Sequence, residues 1–318
     1  MKYALCTLFE GSYHLGLAVF LNSAHASGWR GTMYAGYRGP LPPWASSAKP
    51  SALGHRYEID AESRIEFIKL TTNVHLTNYK PDFMLDLWAK ACPDAEALFY
   101  FDPDIVIRCD WSFFEEWVTY GVALVEDLNS PVAFNHPRRA GWKSYYRGFG
   151  LELKDVTEFY VNGGFVGTSR QDVAFLESWK KMQELMGKDL GGLDNANLGG
   201  HRTIASKKQS PAYIFNKTDQ DALNVTVMAA GRPVSIMGAD AMDFKLGGYV
   251  MSHAVGSGKP WNKKHFKELL HGFRPSNTDK TFWQHACAPI PAFTQTQAKV
   301  NRGIVSLCSV VGRFYTRG

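Results

Sequence analysis

The sequence predicts an α/β protein in which a mostly parallel sheet is covered by helices on both faces. Short apolar runs alternate with segments of helical period through the first third of the chain, which is typical of parallel strands joined by helices. The chain has 318 residues, 45% of them hydrophobic, so it can form a large core. One apolar run ends in two carboxylates one residue apart, and ligands in such sheets bind beyond the carboxyl ends of the strands.

The first half of the chain supplies most of the predicted sheet. The predicted strands are Tyr3–Phe9, Gly31–Tyr37, Glu66–Leu70 and Ala97–Phe101. The predicted helices are Tyr13–Ser27, Asp82–Ala91 and a short helix that begins at Ser112. A Pro- and Ser-rich loop is expected over Gly39–Pro50.

The second half continues the alternation. A strand is predicted over Phe159–Gly167, followed by a helix from Ser169, a Gly- and Asn-rich mobile loop over Gly187–Pro211, a helix over Thr218–Ala230 and a strand over Gly248–Ser252. We expect residues 1–270 to form one domain and residues 271–318 to form a C-terminal appendage.

Charge and cysteine usage narrow the function classes. The net charge of +5 fits a phosphorylated ligand or an anionic surface but is too small to indicate nucleic acid binding. The five cysteines are scattered without a CxxC pair, which indicates reduced thiols. The polar stretch Glu10–His14 interrupts the N-terminal apolar run, so we expect no signal peptide and a cytoplasmic location.

Asp102 and Asp104 follow the strand Ala97–Phe101. Residues i and i+2 of an extended segment point to the same side, so both carboxylates can bind one cation. Hard oxygen ligands suit Mg²⁺ or Mn²⁺, and Pro103 between them restricts the backbone. The alternative is a strand exit with two solvated acids.

A nine-residue segment near the other end of the chain runs from His253 to Trp261. The imidazole of His253 can complete a metal site as a nitrogen ligand. Gly256 and Gly258 allow backbone N–H groups to approach a phosphate, and Lys259 supplies a positive charge.

Together the two segments resemble the retaining glycosyltransferases of family eight, the glycogenin and bacterial lipopolysaccharide galactosyltransferase type. Those enzymes have an Asp-x-Asp motif and a late His-x-x-Gly-x-x-Lys-Pro-Trp motif, which residues 253–261 match at every defined position. The resemblance extends from residue 3 to about residue 265. It implies a Rossmann-like GT-A fold and a metal-dependent, retaining transfer of a sugar from a nucleotide-diphosphate sugar, most often a UDP-sugar. The acceptor would be a glycan, a lipid-linked glycan or a small molecule.

The resemblance also implies roles for individual residues. Asp102, Asp104 and His253 would hold Mn²⁺ or Mg²⁺, while Lys259 and the amide of Gly256 would contact the diphosphate. The turn Asn162-Gly163-Gly164 matches one that touches the donor sugar; its alternative is a β-bulge or tight turn.

A second group of acids is assigned to the sugar by the same resemblance. Asp219, Gln220 and Asp221 match a segment that lies against the donor sugar, and Gln220 would steady the oxocarbenium-like state. The alternative is a helix N-terminus rich in acids, which the helix dipole favours. Glu126 or Asp127 is a further candidate for contact with the sugar, and the sequence does not choose between them.

Nucleotide binding is assigned to the first strand and the helix after it. Thr7 and Tyr13 align with the family, but Glu10 stands where the family has an Asp-Asp pair. This departure weakens the case for uridine. Lys80 takes the place of an arginine that approaches the diphosphate, or it is a solvated surface lysine.

Two other functions compete with glycosyl transfer. A nucleotidyltransferase also uses paired carboxylates and a metal, but the Gly-rich basic loop it needs after the first strand is absent. A catalytically silent sugar-nucleotide or glycan-binding module would not need both intact motifs.

The tail, residues 300–318, has apolar residues at helical spacing and three arginines. Its predicted apolar face consists of Ile304, Val305, Leu307, Val310, Val311 and Phe314. A basic amphipathic helix can lie in a membrane interface, which would make peripheral contact at the inner membrane surface. The alternative is a helix that packs on the domain with the same face.

Overall fold

The computed structural model describes residues 2–194, 214–229, 231, 233–256 and 258–314. In these ranges the strands are β1 Tyr3–Glu10, β2 Thr32–Arg38, β3 Lys49–Ser51, β4 Gly54–Glu58, β5 Arg64–Lys69, β6 Ala97–Phe101, β7 Ile105–Ile107, β8 Val122–Val125, β9 Phe165–Ser169, β10 Val234–Met237 and β11 Met251–His253. The α-helices are α1 His14–Ala26, α2 Lys80–Lys90, α3 Ser112–Trp117, α4 Pro137–Arg147, α5 Val173–Leu190, α6 Thr218–Ala229, α7 His265–Leu270, α8 Asn277–Gln284 and α9 Gln295–Val311.

The main sheet has nine strands in the order β10-β8-β9-β6-β1-β2-β5-β4-β3. The pairs β1–β6, β2–β5 and β8–β10 are parallel, whereas β9 runs antiparallel to β6 and β8. Strands β7 and β11 form a separate antiparallel ribbon. The predicted α/β class, with a large and mostly parallel sheet flanked by helices, is confirmed.

The described chain divides into two compact units. The first unit contains residues 1–8, 70–101 and 114–239. Its core is strongly aromatic: Phe114 lies against Phe101 and Phe165, and the rings of Trp117 and Phe165 stack with centroids 5.2 Å apart. These large buried rings pack β6, β9 and α3 against one another.

The second unit contains residues 9–69, 102–113 and 240–318. A buried cluster joins α1, β7, α8 and α9 through Val19, Val106, Phe282, Trp283, Ala286, Ala298 and Val305. Asn22, fully buried on α1, donates to the carbonyls of His285 and Ile290 and accepts from the amide of Ile290. The C-terminal segment is therefore fixed to α1 by buried polar contacts as well as by apolar packing.

Several predicted element boundaries differ from the observed ones. Helix α2 begins at Lys80 instead of Asp82, with Pro81 in its first turn, where the missing N–H costs nothing. The strand predicted over 159–167 is β9, Phe165–Ser169, and the Asn-Gly-Gly turn precedes it. Helix α5 continues past Gly187 to Leu190, because the left-handed residue that ends it is Gly191, with a φ of +78°. The remainder of the predicted mobile loop, residues 195–211, lies outside the described residues.

The loop predicted over Gly39–Pro50 is more ordered than expected. A short 3-10 helix spans Pro43–Ala45, and strand β3 begins at Lys49 at the edge of the sheet. A three-residue edge strand containing Pro50 carries almost no sequence signal, since proline is tolerated in sheets mainly at edges.

The C-terminal helix α9 buries only part of its predicted apolar face. Val305 is buried, whereas Leu307, Val310 and Phe314 are exposed. Positions two apart on an α-helix point about 200° away from each other, so Val305 and Leu307 cannot share one face. In the described part of the chain, no helix combines the length and apolar character needed to cross a bilayer.

Candidate functional site

The second unit brings together the two segments that the sequence singled out. Strand β6 ends at Phe101, and the turn Asp102–Asp104 leads directly into β7. Strand β7 pairs with β11 in a register that places Ile105 opposite His253, and the amide of Ala254 donates to the carbonyl of Asp104 at 3.1 Å. This ribbon thus holds His253 beside a residue that is about 150 positions earlier in the chain.

Three side chains form a cluster with the composition of a metal site. Nε2 of His253 lies 3.3 Å from Oδ1 of Asp104 and 3.8 Å from Oδ2 of Asp102. One potential ligand atom from each residue lies within 4.8 Å of the others. The other ring nitrogen of His253, Nδ1, is buried without a hydrogen-bond partner among the described residues. Two carboxylate oxygens and one imidazole nitrogen fit a divalent cation such as Mn²⁺.

Lys259 is anchored to this metal-ligand cluster. Its Nζ donates to Oδ2 of Asp104 and to the carbonyl of Ala254, both at 2.5 Å, and lies 5.5 Å from the centre of the Tyr13 ring. Burial raises the pKa of Asp104, but His253 and Lys259 outweigh burial and lower this pKa to about 2. Asp104 is therefore ionised over the physiological pH range and bonded to the Lys259 ammonium group.

Gly16 is a site residue that the sequence reasoning missed. It lies in the first turn of α1, and a Cβ at this position would be 2.4 Å from the carbonyl oxygen of Pro103 and 2.9 Å from the Trp261 ring. Only glycine lets the helix approach the turn between the two aspartates this closely. A glycine inside a helical pattern, Leu15-Gly16-Leu17, was the available signal.

The remaining predicted residues of the second unit lie near the surface. Tyr13 is 37% exposed, and its ring meets that of Trp261 edge to face, with centroids 5.6 Å apart. Glu10 is exposed and lies 3.8 Å from Arg38. Gly256 has a φ of +85° with open space where a Cβ would be, so its conformation favours glycine.

The first unit assembles the Asn-Gly-Gly turn and the start of α6. The side chain of Asn162 accepts from the amide of Gly164 at 2.8 Å and donates to Asp127 at 2.6 Å. The amide of Gly163 donates to Oε1 of Gln220 at 3.3 Å. A Cβ on Gly163 would lie 2.9 Å from a carboxylate oxygen of Asp219, so a larger residue in this turn would displace the Asp219 side chain.

Lys80 is buried rather than a solvated surface lysine, with 1% exposure. Its ammonium group donates to the carbonyl of Gly163 at 2.8 Å and to Asp219 at 3.1 Å, and it lies 5.1 Å from the centre of the Tyr100 ring. Lys80 therefore ties the Asn-Gly-Gly turn to the first turn of α6.

Gln220 and Asp221 differ in what they contribute. Nε2 of Gln220 is buried and has no hydrogen-bond partner among the described residues, so its amide has donors to offer a ligand. Asp221 is fully buried and accepts from the Tyr160 hydroxyl at 2.6 Å and from two backbone amides. These contacts fix the entry of α6 and leave Asp221 little capacity for a ligand.

Glu126 and Asp127 are neighbours in the chain but have different hydrogen-bond partners in the structure. Asp127 bonds directly to Asn162, and its pKa is lowered because Lys217 and Asn162 outweigh burial. Glu126 instead accepts from the amide of Ala239 at 3.2 Å. Thr7 is fully buried, and its hydroxyl donates to the carbonyl of Phe101 at 2.6 Å.

Comparisons with known proteins concern the fold. No protein-family model matches the sequence, and no curated protein matches it. The structure is similar to the glycosyltransferase GlyE of Streptococcus pneumoniae TIGR4, with a TM-score of 0.50 and 14% sequence identity. That match covers 98% of this chain, which spans 64% of the GlyE chain. The galactosyltransferase LgtC, solved with donor and acceptor sugar analogs, is similar at a TM-score of 0.49 and 15% identity, over 94% of this chain and 99% of LgtC. The likeness to GlyE confirms the predicted GT-A type of fold.

Proposed function

We propose that this protein is a metal-dependent glycosyltransferase that uses a nucleotide-diphosphate sugar, with a UDP-sugar as the first donor to test. The convergence of Asp102, Asp104 and His253, with Lys259 bonded to Asp104, is the observation that carries the proposal. The GT-A type of fold supports it, and so does the nine-residue motif that supplies His253 and Lys259.

The metal-ligand cluster is assigned to Mn²⁺, with Mg²⁺ as the alternative. An imidazole ligand beside two carboxylates favours a transition metal over Mg²⁺, which prefers oxygen ligands. The cation would neutralise the negative charge that develops on the departing diphosphate. Asp102 and Asp104 supply the anionic ligands, and the β7–β11 ribbon holds the His253 ring beside them.

Lys259 and Gly256 are assigned to the diphosphate. An ammonium group is a compact charge with three N–H donors, and two of them already fix Lys259 to Asp104 and Ala254. This anchoring orders the side chain before the donor binds, so less conformational entropy is lost on binding.

The turn and helix start in the first unit are assigned to the donor sugar. Gln220 has unused amide donors, so it is the group we assign to the oxocarbenium-like state. Lys80 and Asp221 are assigned as positioning residues, since their polar atoms bond to the turn and to the entry of α6. By family resemblance the reaction retains the configuration of the donor.

The first test is release of nucleoside diphosphate from a panel of UDP- and GDP-sugars. Release should require Mn²⁺ and stop in EDTA, and Asp104→Asn should abolish it. Asp94→Asn is the matched control, because Asp94 is an exposed acid away from the described clusters. Lys259→Ala should weaken donor binding and slow release. Full activity in EDTA, or normal kinetics for Lys259→Ala, would contradict the proposal.

The stereochemical assignment has its own measurement. NMR of the product should show an α-linked sugar from an α-linked donor. A β-linked product would exclude the retaining mechanism while leaving glycosyl transfer itself intact.

We also propose that α9 contacts an anionic membrane surface. Val300, Leu307 and Val311 are exposed on one side of α9, and the exposed residues Arg313 and Phe314 follow its last residue. The full chain should float with vesicles containing phosphatidylglycerol but not with neutral vesicles, and Leu307→Glu should reduce flotation. Equal flotation with the two types of vesicle would contradict the binding of this face to an anionic membrane.

A further inference from the structure

A pocket in the first unit lies next to the residues that we assign to the donor sugar, but that assignment gives the pocket no role. Its volume is about 240 Å³, and Asn129, Tyr160 and Asn216 are among its lining residues. Asn129 donates to Asp127 at 2.6 Å, and Tyr160 donates to Asp221 at 2.6 Å. Two side chains that line the pocket therefore donate hydrogen bonds to Asp127, the partner of Asn162, and to Asp221, in the first turn of α6.

Three lining side chains can present positive charge or N–H donors to this pocket. The guanidinium of Arg138 lies 3.8 Å from Asp221, and the ammonium of Lys217 lies 4.0 Å from Asp127, both beyond hydrogen-bond distance. Nδ1 of His136 accepts from the amide of Arg138 at 3.1 Å, so in the neutral ring the proton is on Nε2. Among the described residues, no hydrogen bond from these three head groups is present.

The charged groups that line the pocket within the described ranges are the cations Arg138 and Lys217, each paired with one carboxylate at 3.8 or 4.0 Å. Asp127 and Asp221 are 1% and 0% exposed, so they lie behind the lining residues instead of at the surface. No acid is part of the pocket lining within the described ranges. Guanidinium and ammonium groups form their strongest hydrogen bonds with oxyanions such as carboxylate and phosphate.

We propose that this pocket binds the anionic group of a glycan acceptor, a carboxylate or a phosphate carried on a sugar. A volume of about 240 Å³ is below the usual range for a whole small-molecule ligand, so it suits one charged group with part of a ring. The diphosphate of the donor is already assigned to Lys259, which leaves this anion to the acceptor. The inference rests on the proposed function, because it places the acceptor beside the donor sugar.

The test uses the full chain and matched pairs of sugars. Binding of methyl β-D-glucuronide and of glucose 6-phosphate is measured by calorimetry and compared with neutral methyl β-D-glucoside. At least one anionic sugar should bind about tenfold more tightly than the neutral one, a difference of about 1.4 kcal/mol. The preference for the anionic sugar should weaken as the salt concentration rises. The anionic sugar that shows the preference identifies carboxylate or phosphate as the group that the pocket binds.

Variants locate the preference. Lys217→Gln and Arg138→Gln should each reduce it several-fold, because each removes a cation from the pocket wall. Arg147→Gln is the control, since Arg147 is an exposed arginine on the same helix as Arg138. An anion preference that is absent, or that survives both variants, overturns the inference.

Donor hydrolysis without an acceptor separates this inference from the proposed function. If nucleoside diphosphate is released but anionic sugars have no advantage, only the acceptor pocket is wrong. If anionic sugars bind through Lys217 and Arg138 but no donor is cleaved, the anion pocket stands, the glycosyltransferase assignment fails, and the ligand is no longer an acceptor.

Discussion

Gly16→Ala should destabilise the protein, although alanine normally favours a helix. The added Cβ would lie 2.4 Å from the carbonyl oxygen of Pro103, about 1 Å closer than ordinary van der Waals contact, and the oxygen belongs to the backbone. Alanine in place of glycine within a helix stabilises it by about 1 kcal/mol. Overpacking of a buried contact costs about 1–3 kcal/mol, so the overlap should outweigh the gain in helix propensity.

Gly303→Ala is the matched control for this prediction. Gly303 lies inside α9 and has open space where a Cβ would be, so the same substitution keeps the helix gain without the overlap. The difference between the two variants in free energy of unfolding should therefore be about 1–3 kcal/mol. Urea unfolding followed by tryptophan fluorescence measures it.

The same substitution should act on the metal-ligand cluster. Pro103 separates Asp102 from Asp104, so moving its carbonyl shifts both carboxylates. Mn²⁺ affinity should fall in Gly16→Ala and stay unchanged in Gly303→Ala. Equal effects of the two variants on stability and on Mn²⁺ binding would refute the close approach of α1 to this turn.

Two further predictions concern charged groups elsewhere in the chain. The hydrogen bond from His25 lowers the pKa of Asp60 from 3.8 to about 2, so its stabilising contribution is present above about pH 4 and is lost as the pH falls toward 2. Asp60→Asn should therefore be less stable than the unmodified chain at pH 5, and urea unfolding at pH 3 should show a smaller gap. Lys80→Met should reduce the free energy of unfolding by about 3 kcal/mol, because it leaves the partners of a buried ion pair unsatisfied. Exposed Lys90→Met should give no detectable change in the same assay, and equal values for the two lysine variants would contradict the burial of Lys80.

The elements that sequence could predict are those with local signals. The strand before Asp102 is a continuous apolar run, and the acids follow it at a spacing of two, so both the strand and the shared direction of the carboxylates follow from pattern alone. His253 was identified as a candidate ligand only through the motif match, because an isolated histidine at the end of a three-residue strand carries little signal. Its pairing opposite Ile105 depends on a non-local register.

The residues that sequence could not place depend on tertiary contacts. Lysine is rarely buried unless it is paired. No local pattern around Lys80 indicates that its partner is Asp219, which lies 139 positions later. Gly16 and Pro103 are similarly remote. The end of α5 was misplaced because Gly187 and Gly191 are both candidates for a helix terminus, and only backbone conformation distinguishes them.

The pairing of β7 with β11 determines when, during synthesis, Asp102, Asp104 and His253 can come together. Asp102 and Asp104 are made in the first third of translation, whereas His253 and Lys259 are made in the last quarter. A nascent chain that ends before β11 carries the two carboxylates without His253, so it lacks the three-residue cluster to which we assign the cation. Contacts this remote in sequence form late in folding, since loop closure must precede them. Acquisition of tight Mn²⁺ binding would therefore report the closure of this ribbon, and it can serve as a probe of the last stage of folding of the second unit.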